Sequence, residues 1–142
     1  MMPEGWLQAK APEGVSVMAV NAQEEITEAK AKEIGFKAYF AVSHNPLQGK
    51  SLAEGLQVFK EEVAKLDSGA VFLQERETSI NNREARAAEI KMIQQEIDFR
   101  VWVVMVKGNN DDVWIITFNT LESKWNDYQN LFSEVANSFQ LK

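Results

Sequence analysis

Apolar and polar positions change period several times along this chain, and each change predicts an element. From Phe36 to Ser43 they alternate: Phe36, Ala38, Phe40 and Val42 fall on one side, Lys37, Tyr39, Ala41 and Ser43 on the other. Period two predicts a strand. From Ser51 the period lengthens. Leu52, Leu56, Phe59, Val63 and Leu66 recur at four, three, four and three, one helical stripe. Ser51 followed by Glu54 has capping-box spacing, and Asp67-Ser68-Gly69 predicts the helix end. Gly55 inside costs about 1 kcal/mol relative to Ala, which the stripe offsets.

Period two returns after Ala70. Val71 to Ile80 and Glu84 to Gln95 read as strands joined by a turn at Asn81-Asn82, since Asn tolerates the positive φ of a tight hairpin. Ile97 to Lys107 and Val113 to Asn119 are apolar on both sides, with Trp102 and Trp114 on the same predicted layer. Such strands are central, with cover above and below. The short Gly108 to Asp112 link makes them antiparallel neighbours. A helix is predicted from about Ser123, on the stripe Trp125, Tyr128, Phe132, Val135 and Phe139.

Before Phe36 the pattern is weaker. Val15 to Val20 predicts a first strand after the turn signal Pro12-Glu13-Gly14. Asn21 to Ile34 is rich in Glu, Ala and Lys, with Asn21 and Glu24 at capping-box spacing and Gly35 as a stop. Its thin stripe of Ile26, Ala29 and Ile34 predicts a short, mostly solvated helix. The expected product is one domain over residues 1–142, an antiparallel sheet between two helical layers: an α+β fold, built as an α/β/α sandwich.

Composition narrows the chemistry. Absence of cysteine excludes disulfides, thiolate zinc sites, iron–sulfur clusters and cysteine nucleophiles. A formal charge of −6 disfavours nucleic acid and anionic lipid as partners. No apolar run reaches the about 18 residues of a membrane-spanning helix, so direct membrane insertion is not expected. There is no G-x-S-x-G, GxGxxG or phosphate-loop pattern, and the carboxylates cluster as adjacent pairs that do not share a helix face. No catalytic set, cofactor or metal site is therefore predicted, and the chain is not expected to be an enzyme.

Asn109-Asn110-Asp111-Asp112 carries oxygen ligands suited to calcium, but lacks the spread of an EF-hand loop and its closing Glu. The quartet reads as a hairpin corner. His44, the only histidine, follows the predicted strand, where one imidazole is too few for zinc and has no visible catalytic partner. Trp6 is the least constrained tryptophan. His44 and Trp6 are the candidate partner contacts, Trp6 as a partly exposed anchor. Arg76, Arg83, Arg86 and Lys91 interleave with Glu75, Glu77, Glu84 and Glu89, the pattern of cross-strand pairs guarding a wet sheet edge.

The order of these elements resembles the PsbP-like group, with DcrB-type bacterial proteins and the Mog1/PsbP fold. The resemblance is carried by Gly5-Trp6, by Phe36 to Val42 ahead of Ser51-Leu52, and by Asn81-Asn82-Arg83-Glu84-Ala85. Trp114 to Phe118 and the ending Tyr128, Phe132, Val135, Ser138-Phe139 complete it. Three departures stand out: Asn82 where Gly is frequent, no strand ahead of the Trp, and residues 21–35 as a helical insertion. The missing strand implies an exported or lipid-anchored bacterial protein whose leader precedes this sequence, with an extracytoplasmic location favoured. The resemblance implies a non-catalytic protein-binding or assembly module. Two alternatives accompany it. One is a carrier holding a small apolar ligand between the sheet and the C-terminal helix, beside Trp102, Trp114 and Phe118. The other is a cytosolic chaperone for a secreted effector, using an apolar groove.

Overall fold

The computed structural model describes residues 5–10, 15–67, 69–94 and 96–139. The Pro12-Glu13-Gly14 turn, Ser68 of the predicted helix end and the terminal Gln95 of a predicted strand lie outside these residues. Among the described residues, seven strands form one antiparallel sheet: β1 (Trp6–Ala9), β2 (Val17–Asn21), β3 (Tyr39–Pro46), β4 (Val71–Ile80), β5 (Arg83–Gln94), β6 (Ile97–Lys107) and β7 (Asp112–Leu121). Their order is β1-β2-β3-β7-β6-β5-β4. The two strands apolar on both sides, β6 and β7, occupy the centre, as their composition requires. Asn81 and Asn82 take φ of 50° and 67° at the β4–β5 turn.

Helix α3 (Trp125–Asn137) covers one face, following a single 3-10 turn at Glu122–Lys124. Between them Phe118 and Phe132 are wholly buried with centroids 4.9 Å apart. That packing fills the part of the layer around Phe118. Trp102 and Trp114 do share this layer, at its margins. The other face carries α2 (Leu52–Leu66), whose Leu52, Leu56 and Val63 pack on Ala88, Ile90, Val101, Val103 and Met105. The Ser51–Glu54 capping box forms in both directions. Leu66, placed in the stripe by its spacing, is 79% exposed because the last turn runs past the sheet.

Two further expectations are corrected. The helix predicted over Asn21–Ile34 shrinks to α1 (Ala29–Glu33). Asn21 instead ends β2, and the Glu24 carboxylate accepts from the Ala38 N–H at 2.9 Å and from the Tyr128 hydroxyl. Those distant partners outcompete a local cap, and the segment lacks the apolar stripe a longer helix needs. The strand expected from Phe36 begins at Tyr39, because Phe36 leaves the ladder to pack on Phe99 (5.0 Å) in a small cluster with Ala31, Ile97 and Leu121. α1 therefore caps one end of the β6–β7 pair on the α2 side.

Candidate functional site

Strand pairing decides which side chains share the α2 side of the sheet. Met18 pairs with Ala41, Ala41 with Thr117 and Tyr39 with Asn119, so all five lie on that side, along β2, β3 and β7. α2 sits over β5 and β6, and α1 covers only the strand ends. A helix about 10 Å wide spans two strands spaced about 4.8 Å apart. The middle of β2, β3 and β7 is consequently left without a helical cover among the described residues.

The result is a groove of about 300 Å³ with Met18, Tyr39, Ala41 and Thr117 in its floor and Phe59 and Val63 of α2 as its wall. Phe59 also borders a second cleft of about 370 Å³, which runs between α2 and the Asn45–Lys50 loop past Val58, Met105 and Ile115. The two depressions flank α2 on its open side. Both are lined mainly by apolar side chains, with a few polar groups such as the Tyr39 hydroxyl, Thr117 and Asn119. Burial pushes the Tyr39 hydroxyl above the ordinary phenol range, so it stays a neutral donor at physiological pH. No acid–base or nucleophilic set converges in the groove, and what this surface offers is apolar contact with oriented hydrogen bonds.

The predicted contact residues fall elsewhere. Trp6 is only 5% exposed and packs against Phe40, Tyr128 and Phe132, with centroids 5.6, 6.1 and 6.3 Å away. Its expected exposure is corrected: β1 turns the indole into the α3 core, where it is scaffold. His44 stays exposed at the far end of β3, roughly 20 Å from Trp6 by strand rise. Its imidazole packs at a tilt on Trp114, with centroids 4.5 Å apart, and its Nε2 meets Asp112 Oδ2 at 2.6 Å. That hydrogen bond holds the Asp112 carboxyl below its usual range. The structure does not bring Trp6 and His44 together.

The Asn109–Asp112 quartet makes the predicted corner, and its oxygens are already engaged. Asp111 accepts from the Gly49 N–H at 2.6 Å, Asn109 from Arg83 at 2.6 Å, and Asp112 from the Asn110 N–H at 3.1 Å. Across the described residues no three His, Asp or Glu side chains gather as a metal site, and no helix is long and apolar enough to cross a membrane.

Sequence reasoning missed the groove floor. Tyr39, Ala41 and Ser43 were visible as the second side of an alternating strand, but that spacing does not show what covers the side. Only the position of α2 over β5 and β6 reveals that side as half-covered.

No protein-family model matches the chain, and no curated protein matches it in sequence. Solved structures do match. PA94, a Pseudomonas aeruginosa protein of unknown function, superposes with a TM-score of 0.66 at 13% identity, covering 96% of this chain and 97% of its own. The cyanobacterial PsbP protein CyanoP of Synechocystis sp. PCC 6803 gives 0.65 at 17%, covering 99% and 84%. The Ran-binding protein Mog1p of Saccharomyces cerevisiae gives 0.62 at 16%, covering 92% and 75%. The chain has the PsbP/Mog1-like α+β fold. At these identities the likeness is one of fold, and it carries no activity with it.

Proposed function

We propose that this chain is a non-catalytic protein-binding or assembly module that receives its partner on the open half of the α2 side. The observation that carries the reading is the apolar groove of Met18, Tyr39, Ala41, Thr117, Phe59 and Val63. Its neighbour in fold Mog1p is a Ran-binding protein, which makes protein binding a natural use of this scaffold. Helix α2 adds the exposed apolar side chains Val58 and Leu66 along the same element. A second reading, a chaperone that shelters an apolar segment of another protein, is favoured by the same lining. An exported or lipid-anchored setting belongs to the leading reading, and recovery of the protein in the cytoplasmic fraction of its native cells counts against it.

Photo-crosslinking in those cells tests the binding role. Benzoylphenylalanine at Met18 or Val58 is expected to give one discrete adduct, lost when Ala41→Trp fills the groove. A probe at Asn130, on the exposed side of α3, should give none. Adducts from Asn130 alone, or turnover of a substrate by the pure protein, overturn the reading.

A further inference from the structure

The α3 side holds a further, smaller recess that the binding role does not use. Trp125, Gln129 and Ser133 fall at successive i, i+4 positions and form one flank of α3. Opposite stand Gln74 and Glu89, with Trp102 between. The recess exists because β5 presents Ala87 there, a side chain too short to reach α3. Its volume is about 130 Å³, close to the roughly 150 Å³ that accepts one six-membered ring.

Its two indole walls are held by packing. Trp102 packs on Phe118 at 5.2 Å and Trp125 on Phe132 at 6.2 Å. Arg100 lies over Trp125 at 5.2 Å, bonds Glu89 at 2.9 Å and holds Glu122 at 2.8 and 2.7 Å. Arg76 donates to the Gln74 Oε1 at 2.9 Å, which turns that amide's NH₂ away as a free donor. The lining carries one charge of each sign, Arg76 and Glu89, so neither a cation nor an anion finds an unopposed partner there. Remaining are an indole surface, two amides and a hydroxyl, all neutral.

We propose that this recess binds one ring of a neutral polyhydroxylated ligand, a sugar unit. The C–H face of the ring lies on Trp102, and its hydroxyls exchange hydrogen bonds with Gln74, Gln129, Ser133 and the free side of Glu89. So small a contact gives weak binding, with a Kd of roughly 1–10 mM.

Nitrogen-15 NMR tests this on the whole chain, because its four tryptophans supply four indole N–H signals. Methyl β-D-glucopyranoside is expected to shift the Trp102 and Trp125 signals saturably and to leave those of Trp6 and Trp114 in place. Gln129→Ala should weaken binding about fivefold, the loss of one neutral hydrogen bond. Ala87→Leu should abolish it by filling the recess. Should the leucine disturb packing, seen as shifts throughout the spectrum, the exposed Gln129 variant still decides. Absence of a saturable shift up to about 50 mM, undiminished binding in Gln129→Ala, or equal shifts from choline or inorganic phosphate overturn the assignment. None of these outcomes bears on the α2-side groove.

Discussion

Glu24 lies among exposed acids, yet its own carboxylate is buried between the Ala38 N–H and the Tyr128 hydroxyl, which Asn21 also reaches at 2.9 Å. Burial first, then the bond to Glu24, raises the Tyr128 hydroxyl far above the ordinary phenol range. Glu24→Ala leaves two buried donors without an acceptor. It should cost roughly 2–3 kcal/mol in urea denaturation, while Glu25→Ala next to it should stay within about 0.5 kcal/mol. A second residue contributes to the acid limit. Burial works against the charged Glu122, but Arg100 and Lys91 outweigh it, and its pKa falls below the ordinary 4.5. A carboxylate depressed by folding stabilises above its unfolded value and loses that contribution as pH falls through the folded one. Thermal melts should therefore weaken as pH drops below 4.5, and less steeply in Glu122→Gln. Neither role was legible in the sequence. Glu24 and Tyr128 are separated by 104 positions, and no local spacing encodes their meeting.

Elements were easier to read when their own periodicity matched their tertiary cover. β6, β7 and α3 bury what their spacing says they bury, α2 does so except at Leu66 in its last turn, and the Ser51–Glu54 cap forms as the spacing requires. Ser51→Ala should cost about 1 kcal/mol. Within α2, Leu56→Ala should cost about 2–5 kcal/mol, because that side chain is fully buried. Leu66→Lys should change stability by less than about 0.5 kcal/mol, its side chain lying outside the core. Chemical denaturation of the three variants checks the order. The misread elements lacked such agreement. Residues 21–35 have good helix formers but little to bury, so long-range hydrogen bonds reshaped them and left five residues of helix. Trp6 was misread for a related reason: a four-residue strand carries too little pattern to show which side it buries.

The whole molecule is an asymmetric sandwich. On one side α3 and a stack of aromatic rings close the layer over Phe118. On the other, α2 and the short α1 leave β2, β3 and β7 with a groove between them. At the edges, β4 is protected by a bulge between Phe72 and Glu75 and by Arg86 facing Glu75 and Glu77 at 3.7 and 3.6 Å, which discourages sheet-to-sheet association. Under the proposed binding role, the protected β4 edge and the open groove favour association on the α2 side. Amide shift mapping with the crosslinked partner, once purified, measures this most directly. The account predicts shifts concentrated on β2, β3, β7 and α2, abolished by Ala41→Trp in a protein that keeps its fold. Shifts concentrated on α3, or unaffected by that substitution, contradict it.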